Sequence, residues 1–97
     1  MYNKRQQTTL VTTQLAKRRQ QQLGISNQAI LATLSWGHQV RQMGGRVAYH
    51  LGRRPVAHAE RHGVNLKHHQ NTAVIVSPDG TIVTVFRRSK LRRCYLK

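Results

Sequence analysis

The first candidate for chemistry is His50, which precedes Arg53 and Arg54 in the sequence. Histidine changes its charge near neutral pH and serves as a general acid or base. Neighbouring cations favour its neutral form, which can accept a proton. Arg87 and Thr84 lie on one predicted strand and can supply a guanidinium and a hydroxyl. The candidate catalytic set is therefore His50, Arg87 and Thr84.

This set is suited to metal-free cleavage of RNA. In that reaction a base activates the ribose 2′-hydroxyl, cations stabilise the pentacoordinate phosphorus, and an acid protonates the leaving oxygen. Each residue also has a structural interpretation. His50 is consistent with an exposed strand histidine, Arg87 with a solvated strand end, and Thr84 with a β-branched residue that fills a strand.

The charge of the chain is strongly unbalanced. Seventeen lysines and arginines face two acidic residues, Glu60 and Asp79, so the 97-residue chain has a formal net charge of +15. A field of this kind attracts polyanions, and a protein that neutralises phosphates gains affinity by releasing counterions. We expect RNA or another nucleic acid as partner; the alternative is a solvated basic surface. The residues expected to contact nucleic acid are Arg19, Arg46, Arg53, Arg54, His58, Arg61 and Arg88.

The scarcity of acids excludes several classes of enzyme. Nucleases that use two divalent metals need several carboxylates at one site, and glycosidases need a carboxylate pair. Catalysis by this chain would rest on His, Arg, Lys, Tyr, Ser or Thr, and we expect no cofactor. His58 and His62 are spaced to share a helix face and could bind zinc. The positive field and the lack of acidic neighbours beyond Glu60 disfavour that metal site.

Length and composition predict one domain. We expect a flexible basic arm over residues 1–8, a domain over 9–88 and a basic tail over 89–97. The sequence has no apolar run that could span a bilayer and no secretory signal, which predicts a cytoplasmic protein without membrane contact. Cys94 is the one cysteine and cannot form an internal disulfide. Aromatic residues are few, so there is little sign of a stacking platform for single strands.

Two helices are predicted in the first part of the chain. An apolar stripe favours a helix over residues 10–23, which Gly24 is suited to end. Ser26 or Asn27 can cap a second helix that ends at Trp36. The second helix has no basic residue, so we expect it to pack rather than to read DNA in a helix-turn-helix. The first stripe consists of Leu10, Val11, Leu15 and Ala16, and the apolar face of the second helix of Ile30, Leu31 and Leu34.

The remaining sequence predicts strands. Residues 46–51 alternate in the manner of a half-buried strand, and residues 55–63 form a short helix or turn. The runs TAVIVS and TIVTVFRRS flank the turn residues 78–80 and predict an antiparallel hairpin. Two N-terminal helices packed on a small antiparallel sheet of about three strands make an α+β domain. On the last strand we expect Ile82, Thr84 and Phe86 to face one way, and Thr81, Val83, Val85 and Arg87 the other.

These segments also resemble a known family. They are similar to a widespread family of small bacterial domains of unknown function. The segments that carry the resemblance are KRRQQQLGIS, a second helix ending in WG, GRVAYHLGRR and VIVSPDGTIVTVFRR. That family is similar to the toxin ribonucleases of the barnase, EndoU, colicin and RelE superfamily. The resemblance covers residues 13–88. It implies a RelE- or barnase-like fold and metal-independent endoribonuclease activity, with an acidic antitoxin or immunity protein as partner. Arg87 stands where the family keeps a basic residue after its aromatic residue, which makes it a candidate phosphate clamp. Leu15 stands where many of these domains have a histidine, so that catalytic role is not carried over.

Three functions remain open from the sequence. The first is a toxin-type ribonuclease whose basic cleft is covered by an acidic partner. The second is a protein that binds RNA or DNA without cleaving it, which Leu15 favours. The third is an interaction module whose basic face contacts an acidic protein.

Overall fold

The computed structural model describes residues 11–89, which form three α-helices and a four-stranded antiparallel sheet. The predicted α+β class is confirmed. The predicted arm, and the predicted tail from residue 90 onward, lie outside the described residues. No helix in this part of the chain is long and apolar enough to cross a membrane. The elements are α1 (Gln14–Leu23), α2 (Asn27–Trp36), β1 (His38–Arg41), β2 (Val47–His50), α3 (Arg53–Arg61), β3 (Thr72–Val76) and β4 (Ile82–Arg87), with 3-10 turns at Met43–Gly45 and Lys67–His69.

The strands lie in the sheet in the order β1-β2-β3-β4, each antiparallel to the next. β2 is the strand predicted within residues 46–51, and β3 and β4 form the predicted hairpin. β1 is an additional strand that the sequence pattern does not predict, because HQVR is short and has a single apolar residue. Its register places His38 opposite His50 and Arg41 opposite Val47.

Helix α1 begins four residues later than predicted. Thr13 is its N-cap, and the Thr13 hydroxyl accepts a hydrogen bond from the Ala16 amide at 3.1 Å. The residues before the cap are extended and pair with β4. The predicted apolar stripe is therefore wrong. Ala16 is buried, but Val11 and Leu15 are 62% and 53% exposed, and Leu10 lies outside the described residues.

The boundary between α1 and α2 agrees with the sequence. Gly24 ends α1 in the left-handed region at φ 65°, where glycine carries no steric cost. Ser26 is the N-cap of α2, and its hydroxyl accepts a hydrogen bond from the Ala29 amide at 3.1 Å. These local caps fix where each helix starts and stops.

One face of the sheet is covered by helices. α1 packs against β4 and α2 against β3, and alanines on both helices let them approach the sheet closely. A second buried cluster lies between α3 and the end of α2, which seats α3 beside the end of β2. The first cluster consists of Ala16, Ile25, Ala29, Ile30, Val74, Ile82 and Val85, and the second of Leu51, Val56, Ala59 and Leu66.

The alternation along β4 is interrupted by a bulge. The register between β3 and β4 shifts, and Val83 is the extra residue on β4. The bulge places Ile82 on the same face as Val85, and both lie in the helix-covered core. The prediction that Ile82 shares a face with Thr84 is therefore wrong. Alternation resumes after the bulge, so Arg87 lies on the helix-covered face with Val85.

Gly37 joins α2 to β1 at a point of close approach. A Cβ atom at this position would collide with the Thr33 carbonyl oxygen and lie 3.2 Å from the His50 amide nitrogen. We therefore expect Gly37→Ala to lower the free energy of unfolding by about 1–3 kcal/mol, as overpacking does elsewhere. Urea denaturation measures the change. Ser35→Ala, at an exposed position of the same helix end, is the control and should have an effect below about 0.5 kcal/mol. Equal stability of the two variants would contradict this account of the junction.

Candidate nucleic-acid interface

An open groove runs along β1 and past the N-terminal end of α3. Residues of β1, α3 and the end of β2 line it, together with the segments before β3 and after β4. We call it the basic groove. Its cationic and titratable side chains are those of Arg41, Arg53, Arg54, Arg61, His38, His50 and His58.

Among residues 11–89, no carboxylate lines the basic groove. Glu60 lies 4.0 Å from the Lys67 ammonium in an exposed ion pair. Asp79 lies in the hairpin turn, where hydrogen bonds from the Ser77 hydroxyl and the Thr81 amide lower the pKa of its carboxyl group. Since the chain has no other acidic side chain, the positive charge of the groove is not neutralised by a side chain of the protein.

Helix α3 supplies one wall of the groove. Arg54, His58 and Arg61 are spaced by four and three residues, which places them on one face of the helix. Arg53 precedes them in the first turn, beside the Gly52 N-cap. The N-terminal end of a helix carries a partial positive charge, so it adds to the field of these side chains. This wall is therefore suited to bind a row of anionic groups.

His50 occupies the end of β2 and is nearly buried, with 8% of its surface exposed. Its Nε2 atom lies 2.7 Å from the Arg88 carbonyl oxygen. A carbonyl oxygen only accepts hydrogen bonds, so Nε2 carries a proton and donates it. In neutral His50 the Nδ1 atom is then the unprotonated nitrogen. This is the form of histidine that acts as a general base.

His38 lies directly opposite His50 in the register of β1 and β2. Directly opposed residues share a face, and their Cβ atoms are about 4.5–5.5 Å apart. His38 is exposed, whereas His50 is not. His38 was not predicted as a site residue because β1 was not predicted; the available signal was the polar HQVR run between Gly37 and the Gly44-Gly45 pair. The groove thus contains two imidazoles in neighbouring positions.

The predicted nucleic-acid residues divide into two groups. Arg53, Arg54, His58 and Arg61 line the basic groove with His50. Arg19, Arg46 and Arg88 do not. Arg19 lies on α1, which packs against β4 at the far edge of the sheet from β1. Arg46 precedes β2, and the guanidinium of Arg88 lies over the Phe86 ring.

The structure does not bring the predicted catalytic set together. Arg87 lies on the helix-covered face, where its guanidinium donates to the Gly24 carbonyl oxygen at 3.4 Å. Thr84 lies on β4, where it pairs with Ile75 of β3. β4 is two strands away from β2, which carries His50. Two strand spacings amount to about 10 Å, so neither side chain is a neighbour of His50.

Two further histidines lie outside the groove, beside Arg87. The ring centroids of His68 and His69 are 3.8 Å apart. Partial burial, followed by the positive charges of His68 and Arg87, lowers the pKa of His69. A lowered pKa favours the neutral form of the His69 ring.

His58 on α3 and His62 at its C-cap are the two histidines that the sequence suggests as zinc ligands. The ring centroids of His58 and His62 are 4.7 Å apart. Within residues 11–89, however, no group of three His, Cys, Asp or Glu side chains is placed to hold a metal ion. The two rings instead contact Trp36, with centroid distances of 5.9 Å and 6.0 Å.

Gly52 leaves room for the ring of His50. A Cβ atom at this position would lie 3.0 Å from Cε1 and 3.1 Å from Nδ1 of His50. We expect Gly52→Ala to displace the ring and weaken its bond to the Arg88 carbonyl. Imidazole ¹⁵N NMR measures this, since the protonated Nε2 and unprotonated Nδ1 of His50 give separate signals, assigned with His50→Gln. Arg53→Ala is the control and should leave those signals in place. Unchanged His50 signals in Gly52→Ala would contradict the contact.

Comparisons with known proteins add no assignment: no family model, no curated protein and no solved structure matches this chain. The resemblance to toxin ribonucleases therefore stays a prediction.

Proposed function

We propose that the protein binds RNA, with the phosphate backbone in the basic groove. The observation that carries the proposal is the convergence of four arginines and three histidines on a groove that the carboxylates of the described residues do not line. Arginine pairs with phosphate through two parallel hydrogen bonds, and contacts to the backbone supply most of the affinity of sequence-independent binding. An acidic antitoxin or immunity protein would contact the same groove, because its carboxylates present the same charge.

A second candidate function, metal-independent cleavage of the bound RNA, is favoured by one observation. His38 and His50 are opposed across β1 and β2, and the hydrogen bond of His50 to the Arg88 carbonyl leaves its Nδ1 atom as the proton acceptor. One imidazole can therefore accept a proton while the other, protonated, donates one. This pair replaces the predicted catalytic set of His50, Arg87 and Thr84.

The proposed reaction is an internal transesterification. Nδ1 of His50 accepts the 2′-hydroxyl proton while the 2′-oxygen bonds to the adjacent phosphorus. Protonated His38 donates its proton to the 5′-oxygen as the bond from phosphorus to that oxygen breaks. Arg53 and Arg54 stabilise the negative charge on the phosphoryl oxygens. The products are a 2′,3′-cyclic phosphate and a 5′-hydroxyl end, and the step needs no metal ion.

The binding proposal is tested with two charge-matched double variants. We expect Arg54→Ala with Arg61→Ala to weaken binding of a labelled single-stranded RNA and to reduce the magnitude of the salt slope by about 0.7 for each phosphate that is no longer neutralised. Arg18→Ala with Arg19→Ala removes the same charge from α1, away from the groove, and should weaken binding less. Fluorescence anisotropy over a series of salt concentrations measures both. Equal weakening in the two variants would mean that net charge, not the groove, determines binding.

The cleavage proposal is tested with RNA in the presence of a chelator. We expect cyclic phosphate products, a rate that falls about 10²- to 10⁴-fold in His50→Ala and in His38→Ala, and a bell-shaped dependence on pH. His68→Ala, outside the groove, is the control and should cleave normally. Analysis of the RNA ends identifies the products. If the RNA is bound but stays intact, the cleavage proposal is wrong and the binding proposal stands.

A further inference from the structure

Trp36 brings an aromatic surface to the basic groove. It is the last residue of α2 and half-buried, packing on the cluster of Leu51, Val56, Ala59 and Leu66. The ring centroid of His58 lies 5.9 Å from that of Trp36, in an edge-on arrangement, and the centroid of His62 lies 6.0 Å away. Trp36 and His58 line the groove, whereas His62 does not. We call Trp36 and His58 the aromatic wall.

The aromatic wall lies among cations. His58 shares one face of α3 with Arg54 and Arg61, which lie one turn before it and one turn after it. A ring placed between cations along a groove offers a stacking surface between phosphate contacts. Proteins that bind single strands combine these two features, because the rings stack with bases while the cations follow the backbone.

We infer that the basic groove takes single-stranded RNA, with a nucleobase stacked on one ring of the aromatic wall and in edge contact with the other. This inference rests on the proposed binding of RNA in the same groove. The bases of a duplex are stacked on each other and cannot reach the wall. Contacts to the phosphate backbone alone would bind single strands and duplexes alike, so the aromatic wall determines the preference for single strands.

The aromatic wall could not be predicted from the few aromatic residues of the chain. The fold provides it by placing the end of α2 beside α3, so that one tryptophan and a histidine from another helix line one groove. His58 is exposed and has no place in the buried cluster. Its removal therefore tests the wall without removing a core side chain.

The test uses the fluorescence of Trp36, the one tryptophan of the chain. The full chain is titrated with a single-stranded RNA of about 8 nucleotides, with an abasic oligonucleotide of equal length and with duplex RNA. We expect the single strand to change the Trp36 emission and to bind roughly 5- to 150-fold more tightly than the abasic chain, the range for stacking one base. The abasic chain has the same phosphates, so the difference in affinity between the two oligonucleotides measures the contribution of the bases.

Variants of the two histidines near Trp36 sharpen the test. His58→Ala should weaken binding of the single strand more than binding of the abasic chain or the duplex, and so reduce the preference for bases. His62→Ala also removes a ring that contacts Trp36, but from outside the groove, so it should retain the preference. An equal loss of preference in both variants would overturn the assignment of the wall to the groove.

The outcomes separate this inference from the function on which it rests. Equal affinity for the single strand and the abasic chain, with unchanged Trp36 emission, overturns the stacking inference while RNA binding stands. Absence of binding to all three oligonucleotides overturns the proposed function as well. Binding of polyglutamate without binding of RNA would also overturn the proposed function, and would indicate an acidic protein as the partner of the groove.

Discussion

Asn71 joins the three strands that meet beside the basic groove. Its amide donates to the Leu51 carbonyl oxygen at 2.8 Å, and its carbonyl oxygen accepts from the Arg88 amide at 2.9 Å. Asn71 has φ 75°, a left-handed conformation that asparagine adopts more readily than most residues. These bonds extend the strand pairing past the ends of β2, β3 and β4. They hold the Arg88 carbonyl where His50 reaches it, and they place Leu51 so that α3 begins shortly afterwards. The groove therefore depends on backbone pairing at one end of the sheet.

The first turn of α3, which lines the basic groove, has an electrostatic cost. The first two helices have hydroxyl caps from Thr13 and Ser26, whereas α3 begins at Gly52 without a side-chain cap. Its first turn carries Arg53 and Arg54 and no acid. Each cation at a helix N-terminus is unfavourable by about 0.3–1 kcal/mol. Bound phosphates would reverse the sign of this term. An arrangement that disfavours the helix and favours an anion supports a binding role, because locally unfavourable features concentrate at functional sites.

The parts of the structure that follow local rules could be predicted from the sequence. The cap at Ser26 and the hairpin turn over residues 78–80 depend on the chemistry of a few neighbouring residues. Strand β1 depends on pairing with β2, which no local pattern records. His38 was missed for that reason, since its place opposite His50 is set by register alone. Arg87 illustrates a related limit: alternation separates the two faces of a strand, but it does not say which face the helices cover.

Leu15 stands where many domains of the resembled family have a histidine, and this difference removes no side chain from the basic groove. Leu15 lies on α1, is 53% exposed, and belongs to a helix that packs against β4. β4 and β1 are the two edges of the four-stranded sheet, and three strand spacings of about 4.8 Å separate them by roughly 14 Å. A histidine at this position would lie by the far edge of the sheet from His38 and His50. The proton transfers that we propose therefore depend on the pairing of β1 with β2, and the residue at position 15 neither supplies nor removes a group for them.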